Sequence, residues 1–509
     1  MPTKGDPHRE LELKLAVPQG AAGSVLDHPA LLLAGPDARR QHQVTTYYDT
    51  ADHTLAQAGI ALRVRCNDGV HVRTVKADRD AGLAADRSEW EWPIERNRPD
   101  PNLLAQTPVG ARLPQPLALE PVAVTEIDRT TRLLDLDDGT QVEAAFDAGW
   151  IIAGNARAAV QELELELRHG DAAAMYRLAL HLHATVAVTV ETEAKSARGI
   201  GLRNGTAPEP RKACSVALTA GTHGAEACRR IMAAGLDHLL ANRGPTLAGN
   251  AKGLHQMRVA IRRLRAALEF FKPHLEPHAR ARFEAELRRI GRVFGEARDW
   301  DVFCLHILPE TLAGADRAAG WGEMLKSPAQ RRRDAAFRTV TEEVAAPAFT
   351  ALVLGLAAWV EQGCGKAPLP GGQALDQPVA KLCPALLDRL ADKVEHRGRH
   401  IESGSDTERH GLRKSVKKLR YAIDYVAEAY PHKPVKSYLH ACEQLQESLG
   451  EINDAVAATG LAERLADGHS DLTPALGALA SILGARRQDA LRDLSKRWRH
   501  FRSEQRFWT

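Results

Sequence analysis

At 509 residues the chain is too long for one ordinary core, and a hydrophobic share of 44% suits a soluble globular protein of two or three domains. Seven scattered cysteines, with no C-x-x-C pair, exclude a disulfide framework and a cysteine-ligated metal, and predict reduced thiols in a cytoplasmic chain. The longest apolar run, residues 350–360, is too short to span a bilayer, and the first residues show no basic-then-apolar signal pattern. The net charge of +3 hides a division. Residues 1–205 hold 22 basic and 29 acidic side chains, and the remainder holds 46 and 36. An acidic half joined to a basic half predicts two tasks, the second involving a polyanion.

The first strand sets the pattern for the acidic half. Glu10, Glu12 and Lys14 alternate with Leu11, Leu13 and Leu15, so a strand sorts charge to one face and apolar bulk to the other. Alone, this also fits the wet face of an antiparallel sheet. The same alternation returns at 61–65 with Arg63 and Arg65, and at 72–76 with Lys76. The turn Asn67-Asp68-Gly69 makes these two a hairpin. It returns again at 87–92, at 129–132, at 142–147 after the turn Asp138-Gly139, and at 162–168 with Glu162, Glu164 and Glu166. Residues 172–187 read as a helix, and 193–199 close the domain.

About eight antiparallel strands, closed on themselves, are expected. Their charges are sorted by strand, with stacked glutamates on the first and late strands and arginine and lysine on the middle ones. Carboxylate oxygens suit Mg²⁺ or Mn²⁺, and guanidinium forks and ammonium groups suit phosphate oxygens. A metal bridging carboxylates and a phosphate chain accounts for both walls. Arg129 and Arg132 stand at odd spacing, so only one of them can share the face.

This ordered set resembles the CYTH superfamily, the triphosphate tunnel metalloenzymes. The resemblance rests on Glu10-x-Glu12-x-Lys14, Tyr47-Tyr48-Asp49-Thr50, Leu62-Arg63-Val64-Arg65, Lys76 and Glu89-x-Glu91. It continues through Glu143-x-x-x-Asp147-x-Gly149, Glu162-x-Glu164-x-Glu166 and Lys195-x-x-Arg198-Gly199. It implies an eight-stranded tunnel that binds a triphosphate with divalent metal, in a family whose members hydrolyse inorganic, nucleoside or thiamine triphosphate or cyclise ATP. By the same resemblance Glu10 and Glu12, with two of Glu162, Glu164 and Glu166, hold Mg²⁺ or Mn²⁺. Lys14, Lys76 and Asp147 serve catalysis, and Arg63, Arg65, Arg129, Arg132, Lys195 and Arg198 contact phosphate.

Beyond a linker at 206–214 the periodicity turns helical, and an internal repeat emerges. His255-x-x-Arg258-x-x-x-Arg262-Arg263-Leu264-Arg265 matches His410-x-x-Arg413-x-x-x-Lys417-Lys418-Leu419-Arg420. Gly295-x-x-Arg298-Asp299 matches Gly450-x-x-Asn453-Asp454 at the same offset. On a helical wheel His255, Arg258, Arg262 and Arg265 form one stripe opposite Met257, Ile261, Leu264 and Leu268. His410, Arg413, Lys417 and Arg420 form its counterpart. Solvated helix faces usually alternate sign; stripes without an acid repel themselves unless an anion screens them.

These residues resemble the CHAD family, the conserved-histidine α-helical domain, over about 215–505, with repeats at about 215–365 and 380–505 parted by the loop 368–372. The resemblance implies two pseudo-symmetric helical bundles around a basic groove that binds inorganic polyphosphate through the eight stripe residues. The fold class expected is α+β multidomain: an eight-stranded antiparallel β-tunnel with flanking helices over 1–205, then an all-α domain. The activity expected is metal-dependent hydrolysis of inorganic triphosphate. The alternatives are a non-catalytic polyphosphate-binding protein and an enzyme that hydrolyses or cyclises ATP. The basic, aromatic segment 496–502 reads as a helix end, so neither a specific nucleic acid nor a membrane is expected as partner. The expected location is the cytoplasm, with association to polyphosphate granules.

Overall fold

The computed structural model describes residues 8–67, 69–80, 85–95, 98–114, 116–310, 321–363, 375–466 and 472–508. The turn residue Asp68 and the loop 368–372 lie outside them. The chain is mixed α+β: an antiparallel sheet in the N-terminal part and helices in the C-terminal part.

Among the described residues nine strands form one sheet: β1 (His8–Ala16), β2 (Arg39–Asp49), β3 (Ile60–Asn67), β4 (Val70–Asp80), β5 (Ala85–Ile94), β6 (Glu120–Asp135), β7 (Gln141–Ala153), β8 (Ala156–His169) and β9 (Thr189–Glu191). Their order is β5-β4-β3-β2-β6-β7-β8-β1-β9, every pair antiparallel. β1 is paired on both edges. β8 lies along Glu12–Ala16, and on the other edge β5 runs along His8–Glu12 and is followed by β9 along Lys14–Ala16. The ninth strand corrects the expected eight. Three residues are too short to show a period, and β9 takes up the edge of β1 where β5 leaves it.

We number helices of ten residues or more. α1 (Ala172–Val186) is capped by Asp171, whose carboxylate accepts the Ala173 N–H at 3.0 Å, and it ends at Ala187 in the left-handed region. α2 (Lys195–Asn204) follows and ends just before the expected linker. Next come α3 (Gly224–Ala241), α4 (Ala251–Phe270), α5 (Pro277–Val302), α6 (Trp321–Ala345), α7 (Pro347–Glu361), α8 (Val379–Gly398), α9 (Asp406–Val426), α10 (His432–Ala466) and α11 (Thr473–Ser503). No single helix among the described residues is long and apolar enough to cross a membrane.

Two compact units result. One comprises residues 1–209 with 346–362, the other 210–345 with 363–509. The first differs from the sequence expectation, because α7, from the middle of the helical half, packs on α1. The His183 ring fastens the junction, with Nδ1 2.7 Å from the Val188 carbonyl oxygen and Nε2 2.8 Å from that of Pro347. The apolar run 350–360 is therefore core of this unit, with Val353, Leu354 and Leu356 fully buried.

In the second unit α4 packs between α3 and α5, and α9 packs between α8 and α10. Asn250 caps α4 through the Lys252 and Gly253 N–H groups, and Ser405 with Glu408 forms a capping box on α9. α4 and α9 touch each other, and the buried Tyr425 hydroxyl donates to the Arg263 carbonyl at 2.7 Å.

If His183 ties α7 to the sheet unit, His183→Ala should lower that unit's stability by about 1–3 kcal/mol, because the buried carbonyl that accepts the ring N–H loses its partner and the ring's packing is lost. Urea denaturation followed by hydrogen exchange in β6–β8 measures this. An unchanged midpoint would mean that apolar packing alone holds α7.

Candidate functional site

The register of the sheet decides which charged side chains meet. Residues directly opposite in neighbouring strands point to the same face. Lys76 stands opposite Glu89 and Arg65 opposite Thr45. Arg129 stands opposite Asp147, Asp147 opposite Glu162, Lys14 opposite Glu164, and Glu12 opposite Glu166. The backbone of Glu10 is opposite Arg87, while the Glu10 side chain lies outside the described residues. Thus one face of the sheet gathers Glu12, Lys14, Arg63, Arg65, Lys76, Arg129, Asp147, Glu162, Glu164 and Glu166.

That face is not a solvated one. Asp147 is 1% exposed, Glu162 2%, Glu12 6% and Glu164 8%. On the other face of β1 and β8, Leu13, Leu15, Leu163 and Leu165 are fully buried. Burying carboxylates at this depth is costly unless each is paired, and these are. Lys195 Nζ lies 2.6 Å from Glu162, 2.7 Å from Glu164 and 3.0 Å from Asp147. Arg129 holds Asp147 with a two-pronged fork, both arms at 2.6 Å, and also reaches Glu164. Arg198 pairs with Glu162. Lys195 and Arg198 are three apart on α2, so one helical side presents both. Gly199 lets α2 lie that close: a Cβ there would fall 2.4 Å from the Ala123 Cβ.

The charges follow. Burial works against the ionised form of Glu164, but Arg129, Lys195 and Lys14 hold its carboxyl well below the usual range. Burial likewise disfavours the Lys195 and Arg129 cations, yet the surrounding carboxylates raise both well above their ordinary values. Arg65 has the opposite environment. Burial and the cations Arg63 and Arg129 push its guanidinium down to about 10, and no hydrogen bond or ion pair of Arg65 occurs among the described residues. Arg63 and Lys76 both approach Glu89, at 3.4 and 3.5 Å, and Lys14 approaches Glu12 at 3.5 Å.

Two predicted positions separate from the group. Arg132 is opposite Ala144 and so lies on the reverse face, donating to the Leu32 carbonyl at 3.1 Å and to the exposed Asp37 at 3.3 Å. Glu166 shares the face but is engaged by Arg168 at 2.5 Å, and Arg168 also bonds Glu143 at 3.1 Å. Among the described residues no group of three or more His, Cys, Asp or Glu side chains forms a ready metal cage, because Lys195 stands between the carboxylates that would make one. The donor set itself, Glu12, Glu162 and Glu164, is all carboxylate oxygen and fits a hard divalent cation.

In the helical unit the two stripes converge. Arg258, Arg262, Arg413 and Lys417 lie close together, and burial with neighbouring like charge lowers Arg258, Arg413 and Lys417. Arg258 lies 3.7 Å from Asp299, and Arg413 lies 3.6 Å from Asp454. His255 is pushed down to about 4 by burial and by Arg298, Arg262, Arg258 and Lys417. The His410 ring instead bonds the Asn453 side chain. Arg265 and Arg420, a turn further along, turn to separate neighbours: Arg265 sits beside Arg288 and Glu284, and Arg420 lies 3.3 Å from Glu443. The sequence stripes did not include Arg298, Asp299 or Asp454, although the repeated Gly-x-x-[Arg/Asn]-Asp element pointed to them. Its glycine has a steric purpose, since a Cβ at Gly295 would stand 2.7 Å from the Arg258 guanidinium.

The two units define a two-part protein, an acid-and-base-lined β-sheet unit followed by a basic, duplicated helical unit. The CYTH domain family matches residues 8–198 and the CHAD domain family matches 230–463, so the chain carries a CYTH domain joined to a CHAD domain. An inorganic triphosphatase of Haemophilus influenzae is 30% identical over 203 residues, 38% of this chain, and the match spans about half, 54%, of that protein's length. The crystal structure of the CHAD domain from the plant Ricinus communis is 27% identical with a TM-score of 0.52, covering 59% of this chain and 98% of that one.

Arg129→Ala leaves Asp147 and Glu164 buried with too little positive charge, and should cost about 3–5 kcal/mol. Arg132→Ala should cost no more than about 1 kcal/mol. Thermal melts of the two variants check this, and equal losses would contradict the register-based placement.

Proposed function

We propose that the CYTH unit hydrolyses inorganic triphosphate to pyrophosphate and phosphate, in a tunnel formed where β1 joins β5 and β8, and that the CHAD unit binds inorganic polyphosphate. The observation that carries the first part is the enclosed face on which buried carboxylates and cations alternate. The likeness of this half to an inorganic triphosphatase supports the same substrate class.

In this reading Glu12, Glu162 and Glu164, with Glu10, hold Mg²⁺ or Mn²⁺, and Glu166 is kept outside the set by Arg168. The bound cation supplies neutralising charge for the phosphate chain and a more acidic water. Arg63, Arg65 and Lys76 grip phosphate oxygens, Arg65 being the most available because it has no described partner. Lys14 faces the terminal phosphoryl group. Asp147 aims Arg129 and Lys195 rather than touching substrate. Water attacks the terminal phosphorus, the bridging P–O bond breaks, and pyrophosphate leaves with its charge held by the basic wall. Lys195, Arg129 and Arg198 satisfy the carboxylates as the chain stands; with a divalent cation held by Glu12, Glu162 and Glu164, the same three side chains would be available to phosphate oxygens.

In the CHAD unit five cationic side chains, Arg258, Arg262, Arg298, Arg413 and Lys417, stand against two carboxylates, Asp299 and Asp454. His255 Nδ1, Arg262 Nε and Arg413 Nε have no hydrogen-bond partner among the described residues. A flexible chain of phosphates supplies both the missing charge and the missing acceptors. A protein held this way on polyphosphate would gather at polyphosphate granules.

Phosphate release from tripolyphosphate, pyrophosphate, ATP and long polyphosphate, each with Mg²⁺ and with Mn²⁺, tests the reading. Tripolyphosphate should be cleaved fastest, and Glu12→Gln or Glu164→Gln should lower turnover at least about 100-fold, as for removing one transition-state charge partner. Turnover unchanged in both variants would refute the tunnel site. Pyrophosphate release from ATP would favour the cyclase alternative. Reversing Arg258, Arg262 and Arg413 to Glu should abolish polyphosphate binding and spare tripolyphosphate cleavage. Retained affinity would refute the basic cluster.

A further inference from the structure

Lys417 differs from the other cations of its cluster, because it alone of the group's full charges can lose its proton near neutral pH. Guanidinium groups stay protonated in proteins, but a lysine enclosed among like charges does not have to. The groups around it come from four helices. On its own α9, Arg413 and His410 stand one and two turns before it; α9 packs on α4, which brings Arg258, Arg262 and His255; Arg413 lies 3.6 Å from Asp454 of α10, and Arg258 lies 3.7 Å from Asp299 of α5, next to Arg298. From α8, Lys393 faces Glu269 and the neighbouring Lys418 instead. No ion pair or hydrogen bond of Lys417 occurs among the described residues.

We propose that polyanion binding at this cluster is coupled to uptake of a proton by Lys417, so that affinity depends on pH across the neutral-to-alkaline range. The inference rests on reading the cluster as the polyphosphate site. Without an anion, burial first and then Arg413, Arg262 and Arg258 push the Lys417 ammonium down to about 7. Its amine then relieves the repulsion by giving up a proton. A phosphate chain laid across the cluster reverses the local field, and the amine takes a proton from solvent to become the ammonium that pairs with a phosphate oxygen. The sign follows directly. The bound state holds more protons than the free state between the two Lys417 pKa values, so binding is full-strength below the free-state value and weakens as pH rises through the window. His255, pushed to about 4, and His410, also lowered by burial, are uncharged in the free protein over this range.

The experiment is isothermal titration of the full-length protein with long-chain inorganic polyphosphate, whose chain ends are few, at constant ionic strength between pH 6.5 and 9. Each point is repeated in two buffers of different ionisation heat. For the unmodified protein the affinity should fall above pH 7.5 with a slope approaching tenfold per pH unit, about one proton per site. The buffer pair should report proton uptake at pH 8. Lys417→Arg keeps a permanent charge and should bind with little pH dependence and no uptake, while Lys417→Met should be weak and flat. A flat profile for the unmodified protein, or an equal slope in Lys417→Arg, would overturn the coupling while leaving the polyphosphate reading intact. Absence of binding at every pH would overturn both.

Discussion

The structure of the CYTH unit depends on how Lys195 is held. Its ammonium touches Asp147, Glu162 and Glu164, three buried carboxylates that the sheet register forces together on one face. Without a cation among them their mutual repulsion and desolvation would be prohibitive. The register brings the acids together because β7 and β8 run side by side over the whole hairpin. The cation must arrive from elsewhere, and α2 supplies it by lying against β6–β8 with no side chain at Gly199. The helix that neutralises the wall thus contributes both Lys195 and Arg198 to it.

The CHAD unit poses the opposite electrostatic problem. Its two packed helices, α4 and α9, bring basic side chains against one another, and among the described residues Asp299 and Asp454 temper them. In the CYTH unit charge is compensated from within, leaving Arg65 as a described cation with no partner. In the CHAD unit the compensation is incomplete by design of the repeat, since duplicating one basic stripe and packing it on its copy doubles the excess. Apolar packing of Leu254, Met257, Ile261, Leu412, Val416 and Leu419, all buried, holds the stripes together against that repulsion.

Much of this was legible in the sequence, for identifiable reasons. Period two in β1, β3 and β8 sorts charge by face, and parity alone required Arg129 and Arg132 to part company. Parity could not say which one turned inward; that depends on pairing with β7, where Arg129 meets Asp147 and Arg132 meets Ala144. Glu166 looked equivalent to Glu162 and Glu164 because spacing carries no information about Arg168, two residues on, folding back over it. β9 is too short to leave a pattern. The apolar run 350–360 was visible, but its destination was not: hydrophobicity says that α7 must be buried, and only the three-dimensional structure shows α1 as its neighbour.

The repeat shows where sequence equivalence stops. Arg298 and Asn453 occupy matching positions, yet they act on their histidines differently. Arg298 adds a like charge that helps keep His255 unprotonated, with Nδ1 unpartnered among the described residues. Asn453 gives His410 a hydrogen bond that partly offsets its burial. Gly295 and Gly450 diverge in the same sense. A Cβ at the first would meet the Arg258 guanidinium at 2.7 Å, and at the second it would stay 3.7 Å from Arg413. The first half of the cluster is therefore more tightly packed and richer in fixed charge. The second half contributes the titratable cation, Lys417, where the first has Arg262. A duplicated helix pair thus carries an arginine at position 262 where its copy carries Lys417, and an arginine at 298 where its copy carries Asn453, so the two halves of the cluster differ in charge at two matched positions.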